Sequence, residues 1–276
     1  MRLISWNVNR RTSVLAEQAH AIAERQPDVV ALQEITARSR DLWAAAFATI
    51  GLPHVIWSWP PRPRRTVVMI ATREPLEPAE SIVLPWPETT IAAAVGGVAV
   101  HTVHVPNAAN GWVKPDTLAA LRAGFETTSG PRVLCGDLNT PRREHPDGTV
   151  ISFARDTHER LRPERGERWD SGELGVVPGL RDLGFADAFR SLHGYDRKEP
   201  SWVFRHGGGW RLDHVFVSAE LEPVAATYHH AWRDGGLSDH SPLEVDVGVR
   251  FETGGLGRIR TRRLSKRAPR PRRARG

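Results

Sequence analysis

Short apolar runs that stop abruptly at a carboxylate, an amide or an imidazole recur along this chain, and they constrain its fold more than any other feature. Residues 3–8 read as a strand, with Asn7 and Asn9 at its end. Residues 29–33 stop at Glu34, 98–103 stop at His104, and 133–136 stop at Asp137 and Asn139. Asp239 and His240 stand just before the last run, 243–249, which alternates apolar and polar residues. A continuous apolar run suits a strand covered on both faces, and alternation suits a strand with one buried face. Polar groups held at the ends of such strands are well placed to form a site on a rigid scaffold.

Helical spacing separates these runs. Residues 13–25 carry Leu15, Ala19, Ile22 and Ala23 at helical intervals, with Pro27 just beyond. Residues 39–50 predict a second helix with Leu42, Ala46 and Phe47 on one face. Residues 115–126 predict a third, with Pro115 in its first turn. Short runs at 55–57, 66–71, 81–84, 91–95 and 98–103, separated by Pro or Gly, predict an antiparallel meander. Further strands are expected at 132–136, 215–217 and 224–227. The polar segment 141–180 reads as a long loop or insertion. The class is α/β with much antiparallel sheet, in one domain spanning 1–252.

Charge divides the chain differently. Of its 38 Lys and Arg, ten lie in 256–276, which holds no acid, and the rest carries 32 acids against the remaining 28 bases. Segment 253–276 also contains Gly254, Gly255, Pro269 and Pro271 and few apolar residues. Such a composition cannot offset the entropy of ordering, so a disordered basic tail able to bind polyanions is expected. Apolar residues make up 40% of the 276, enough for a sizeable core. No run approaches the roughly 18 apolar residues of a membrane span. The start of the sequence reads as a strand rather than an apolar leader, which suggests a cytoplasmic protein. The only cysteine, Cys135, excludes an intrachain disulfide framework and a cysteine-based zinc cluster. It lies in a buried run and is expected to be inert.

The strand-end residues suggest a chemistry. Carboxylates and amides together make a hard oxygen site, suited to Mg2+, with Mn2+ as the alternative, rather than to a soft metal. His104 and His240 add proton carriers or phosphate donors.

The set also resembles a known family. Ser5-Trp6-Asn7-Val8-Asn9, Leu32-Gln33-Glu34, Val105-Pro106-Asn107, Gly136-Asp137-Leu138-Asn139, Gly209-Trp210-Arg211-Leu212-Asp213-His214 and Ser238-Asp239-His240-Ser241-Pro242 follow the order and spacing of the endonuclease/exonuclease/phosphatase, or DNase I-like, superfamily. Among its branches they resemble most the exonuclease III-type abasic-site endonucleases. The resemblance implies a four-layer α/β sandwich, two packed mixed sheets flanked by helices, and metal-dependent cleavage of a phosphate ester. It implies Glu34 as the main metal carboxylate, with Asn7 and Asp239 close to the ion. Asp137 would orient or deprotonate the attacking water, and Asn139 would hold a phosphate oxygen. Asp213 would fix His240 so that the imidazole donates to the phosphate, with His104 beside it.

Substrate clues point two ways. By the same resemblance, Trp210, Leu212 and Phe189 would wall a sugar pocket and Asn107 would contact phosphate. The Arg-rich stretch 141–168 could flank a groove, although it also holds six acids. His104, where abasic-site enzymes carry Tyr, matches the phosphatase and lipid-phosphodiesterase branches instead. The reading is a metal-dependent phosphodiesterase of nucleic acid, DNA favoured over RNA. The alternatives are a hydrolase of small or lipid phosphates and an inactive binding module.

Overall fold

Strands covered on both faces need two layers to cover them, and the computed structural model, which describes residues 1–59 and 65–250, provides both. The first half runs β1 (Arg2–Asn7), α1 (Leu15–Arg25), β2 (Val29–Ile35), α2 (Arg40–Thr49), β3 (His54–Trp57), β4 (Val67–Thr72), β5 (Glu77–Pro78), β6 (Thr90–Val95), β7 (Val98–His104), α3 (Val113–Thr127) and β8 (Arg132–Asp137). A hairpin of β9 (Arg143–Glu144) and β10 (Val150–Ile151) follows, then α4 (Gly166–Val176), β11 (Ala186–Asp187) and α5 (Ala188–His193). A second hairpin, β12 (Trp202–Val203) and β13 (Gly209–Trp210), precedes β14 (Asp213–Val217), β15 (Leu221–Tyr228), α6 (His230–Asp234) and β16 (Leu243–Val249).

Two six-stranded sheets result, ordered β15-β16-β1-β2-β4-β3 and β11-β14-β8-β7-β6-β5. Each is mixed: β1–β2 and β7–β8 are parallel, and the other neighbours are antiparallel. The side-chain alternation of a strand sorts the apolar runs into layers. Leu3, Val29, Ala31, Val133, Cys135 and Val215 point between the sheets. Trp6, Val30 and Leu32 point outward onto α1 and α2, which contribute Ile22, Trp43 and Phe47. Val103, Leu134 and Phe216 point outward on the other side, onto Leu118, Leu121 and Phe125 of α3 and Val176 of α4. This is the expected four-layer α/β sandwich. No described helix is long and apolar enough to cross a membrane.

Several expectations need correction. Leu42 is 54% exposed, and Trp43 takes the buried place beside Phe47. Residues 81–84 form no strand, although Ile82 and Leu84 are buried as alternation requires. There the Ser81 hydroxyl, not a backbone carbonyl, accepts the Ala92 N–H. The segment 141–180 is not a plain loop, because it holds the β9–β10 hairpin and α4. The buried face of α4 is part polar, with Trp169, Asp170, Glu173 and Val176, so apolar periodicity did not reveal it. The basic segment 253–276 lies outside the described residues.

The core holds a histidine that burial keeps neutral. His101 of β7 is buried edge-on to Phe125, at 5.1 Å between ring centroids, and its Nδ1 has no partner. Burial, reinforced by the nearby Arg132, lowers its pKa to about 4. An unfolded histidine titrates near 6.5, so below that pH the unfolded chain binds more protons than the folded one. The stability this neutral imidazole contributes is therefore lost as pH falls from 6.5 through about 4, an effect of about 3 kcal/mol in full. We expect His101→Leu to shrink the drop in unfolding free energy between pH 7 and pH 4.5 by about 2 kcal/mol. Parallel urea titrations of the two proteins check this, and identical drops would contradict it.

Candidate active site

The parallel pairs β1–β2 and β7–β8 bring four strand ends to one edge of the sandwich. In register, His104 lies beside Asp137, and Asp213, at the start of β14, lies opposite it. Two local features aim the side chains. At Gly136, φ is +139°, and a Cβ there would sit 1.9 Å from the Val103 carbonyl oxygen, so only glycine admits this approach just before Asp137. In β2 the register against β4 shifts between Leu32 and Ile35, a bulge at which Glu34 adopts φ 60°. Bulges of this kind redirect a side chain out of the sheet pattern.

The resulting cluster is tight. The Asn7 amide donates to Asp137 Oδ2 at 3.0 Å and to Glu34 Oε1 at 3.4 Å, tying one sheet to the other. His104 Nε2 is 3.6 Å from Glu34 Oε1 and 3.8 Å from Asp137 Oδ2. His240 Nε2 faces the same Asp137 oxygen at 3.9 Å, and its Nδ1 is 2.8 Å from Asp213 Oδ2. The loop carrying His240 is strapped to β1: Trp6 Nε1 donates to the His240 carbonyl, and the Ser238 hydroxyl donates to the Asn7 carbonyl. Asp213 is fixed from behind, where Tyr228 donates to its carbonyl at 2.6 Å.

Electrostatics follow from burial. Asp137 is 1% exposed, and desolvation raises its pKa against the opposing pull of His240 and His104. Burial alone would lower His240, but the Asp213 and Asp137 carboxylates outweigh it and hold the imidazole at about 10, hence protonated. Burial pushes the Cys135 thiol up to about 12, in keeping with an inert group.

Asp137, Asp213 and His240 all present ligand-type atoms within 4.8 Å of one another. Asp213, however, is fully buried and is committed to the imidazolium through Oδ2. Glu34 fits a hard cation better. It lines an open cleft of about 760 Å³ together with Asp239, and its buried Oε2 has no hydrogen-bond partner. The Arg10 guanidinium, on an exposed side chain, lies 3.0 Å from that oxygen. Glu34 and Asp239, with Asn7 behind them, are the residues that could hold Mg2+ or Mn2+.

His104, Asn107, Asp137, Asn139, Asp239, His240, Trp210 and Leu212 all line the cleft, as does Glu34. One expectation changes. Phe189 is fully buried between the sheets, 5.1 Å from the Tyr228 ring, and forms no wall of the cleft. Its place beside Trp210 is taken by Phe153, edge-on at 4.9 Å. Asn139 gives its amide hydrogens to the Val105 carbonyl and to Asp137 Oδ2, so it orients that carboxylate in this arrangement. Asn7 likewise turns its NH2 to the two carboxylates, and its oxygen accepts the Asn9 N–H. Two flanking carboxylates favour a donor there, so in this arrangement Asn7 ties the two carboxylates together. Asn107 uses its oxygen to cap the turn at Ala109.

Sequence reasoning missed Trp202, which extends the wall that Trp210 begins. Trp202 stacks on Trp210 with centroids 5.3 Å apart and planes 13° apart, and its Nε1 donates to Asp239 Oδ2 at 3.3 Å. Trp202 and Phe204, two residues apart ahead of Trp210, were the signal. Lys114, Arg142, Arg162 and Arg165 also line the cleft.

Known structures share this architecture. An AP endonuclease from Archaeoglobus fulgidus is 24% identical with a TM-score of 0.70, covering 89% of this chain and 98% of that one. The 3′ phosphatase NExo from Neisseria, bound to a product DNA hairpin, is 24% identical with a TM-score of 0.68 and covers the same shares. The 3′-5′ exonuclease NExo from Neisseria meningitidis is 26% identical with a TM-score of 0.65, covering 89% of this chain and 99% of that one. No curated protein matches the sequence. Residues 4–240 match the model of the Endonuclease/Exonuclease/phosphatase family, and the chain belongs to that family.

Proposed function

We propose that this chain is a divalent-metal-dependent hydrolase of nucleic-acid phosphodiester bonds, DNA favoured over RNA. The observation that carries the reading is the convergence of Asp137 and His240 on one floor beside Glu34. The family is one of hydrolases, nucleases and phosphatases among them. The similarity to an AP endonuclease, to a phosphatase bound to DNA and to an exonuclease supports a polynucleotide substrate.

In-line attack on a phosphodiester needs a water oriented on one side, and stabilisation of the charge that builds on the phosphoryl oxygens. Asp137 takes the water. Burial raises its proton affinity, and Asn7 and Asn139 fix its oxygens. His240, kept protonated by Asp213, donates to a phosphoryl oxygen, the same logic by which a carboxylate orients an imidazole elsewhere. His104 offers a second ring nitrogen across the floor. A divalent cation held by Glu34 and Asp239 would neutralise phosphoryl charge and acidify a water. The intact Asp213–His240 pair speaks against a module that binds without turnover. With Phe189 in the core, the sugar-pocket walls that remain are Trp210 and Leu212, so preference for abasic sites is an arm of the test and not a premise.

The purified chain is offered abasic duplex, single-stranded DNA, RNA, phosphoinositide and sphingomyelin, each with Mg2+ and with chelator. Turnover of a nucleic acid that chelation abolishes is expected; turnover confined to the lipids would overturn the reading. Asp137→Asn and His240→Ala are each expected to lower the rate at least ~10²-fold in a folded protein. Asp213→Asn tests the pair without touching either partner's contact to substrate. In the metal-free protein the His240 ring is expected to titrate about 1–3 pH units lower, followed by its NMR shift. An unchanged midpoint would show that Asp213 does not keep His240 protonated.

A further inference from the structure

The carboxylates Glu34, Asp137 and Asp239 share the cleft with several cations. Arg10 lies 3.0 Å from Glu34 and Arg65 lies 3.7 Å from Glu88, whereas Arg142, Arg162 and Arg165 come from the one segment 142–165. The segment that supplies these arginines has many acids, and most of them are engaged elsewhere. Glu159 pairs with Arg143 at 2.7 Å, Asp170 with Arg155 at 2.6 Å, and Asp156 with Arg160 at 3.1 Å. Arg162 donates to the Arg155 carbonyl at 3.4 Å, and its one carboxylate neighbour among the described residues is the exposed Glu164, at 3.7 Å. Arg165 donates to the Phe153 carbonyl and lies over the Trp169 ring, with no carboxylate partner among the described residues. Partial burial and the nearby Arg162, Arg143 and Arg165 lower the Arg142 pKa, with Asp156 offsetting them only in part. Three guanidiniums crowded on one wall repel each other by Coulomb's law, and a bound anion relieves the repulsion.

The wall is coupled to the catalytic floor. Lys114 is fully buried with its ammonium 2.7 Å from Glu173, and it feels both Asp137 on one side and Arg165 on the other. Its Nζ lies 4.3 Å from the Phe153 ring centroid, and Phe153 in turn meets the Trp210–Trp202 stack. The lining of the cleft therefore combines carboxylates and imidazoles, an aromatic surface, and the guanidiniums of segment 142–165. An aromatic face accepts a base or sugar without regard to sequence, and guanidiniums match the oxygens of a phosphate.

Resting on the nucleic-acid reading above, we propose that Arg142, Arg162 and Arg165 form a second phosphate subsite. It holds the phosphodiester next to the one being hydrolysed, so the enzyme selects polynucleotides over esters that carry a single phosphate. A strand lying in the cleft places one phosphate over the Asp137–His240 floor and its neighbour against the guanidinium wall, with the intervening nucleoside on the aromatic surface.

The test compares the full-length chain with the triple variant Arg142→Gln/Arg162→Gln/Arg165→Gln and with the triple Arg→Lys variant. Binding of a short fluorescein-labelled single-stranded oligonucleotide is read by anisotropy in chelator, so it needs no turnover. The Gln variant is expected to bind about 10–100-fold more weakly and to lose about 1 from the slope of log K against log[salt], with binding partly restored in the Lys variant. The basic C-terminal segment is common to all three proteins and cancels from the comparison. In kinetics, KM for the oligonucleotide rises with kcat nearly unchanged, while hydrolysis of bis(p-nitrophenyl) phosphate, which has one phosphate, stays at the wild-type rate. An unchanged Kd and salt slope would overturn the proposal even if the enzyme cleaves DNA. So would equal losses on both substrates, which would mark the arginines as general supports of the fold. A chain that cleaves no nucleic acid but shows the binding difference would sink the catalytic reading and leave this subsite standing.

Discussion

A carboxylate that is 1% exposed has lost nearly all of its hydration, and the fold around Asp137 is arranged to replace it. Removing a charge from water costs several kcal/mol unless hydrogen bonds and opposite charges compensate. The compensation comes from both sheets. The Asn139 backbone N–H serves Oδ1 from the same sheet, Asn7 serves Oδ2 from the other, and His240 approaches from the loop before β16. Gln33 adds a further polar tie between the layers, donating to Thr102 at 3.0 Å and to Ser5 at 3.3 Å. Hydrophobic packing alone would let two sheets slide over one another. These directional contacts give the sandwich one registry, and the same registry sets the geometry of the site.

A second buried polar system builds the far wall. Glu173 of α4 accepts from Lys114, Trp169, Thr140 and the Phe153 backbone, so one carboxylate joins α3, α4, the loop after β8 and the stretch after β10. Beneath the β9–β10 hairpin, Glu144 lies between Arg190 and Arg211, and Arg211 also reaches Asp187 at 2.7 Å. Burial alone would raise the Glu144 carboxyl, but the two guanidiniums hold it down at about 2. Such networks are costly if broken and need not add net stability when whole. Their effect here is positional: they fix a polar segment that has little apolar surface of its own, and with it the placement of Arg142, Arg162 and Arg165.

The sequence showed the parts of this architecture that depend on apolar surface. Residues 29–32 and 133–136 are apolar throughout because β2 and β8 are covered on both faces, and that pattern is visible without coordinates. Their polar ends marked Glu34 and Asp137 for the same reason. Features set by polar compensation were not legible. Nothing in the spacing of Asp170 and Glu173 announces the buried face of α4, because each is balanced by partners far away in the chain, such as Ser152 and Lys114. Phe189 and Phe153 are both aromatic residues near chemistry-bearing motifs, and only the packing of α5 against β15 decides that Phe189 fills the core. The amide orientations of Asn7 and Asn139 were likewise hidden, since they answer to carboxylates brought together by folding.

The charge balance of the floor explains why these orientations matter. Three carboxylates, Glu34, Asp137 and Asp213, converge with one imidazolium, His240. Asp213 and His240 neutralise each other, which leaves Glu34 and Asp137 as two negative groups sharing the Asn7 amide. Like charges so placed favour a cation between them. Arg10 partly answers that demand at Glu34 Oε2, but its side chain is 62% exposed, and an ion pair in contact with water is weak. A compact divalent cation on Glu34 and Asp239 would answer that demand, and its charge would favour the ionised form of Asp137, the form able to accept a proton from water. On the proposed function, Glu34 and Asp239 suit a cation, Arg142, Arg162 and Arg165 suit a phosphate, and the aromatic surface suits the neutral part of a nucleotide.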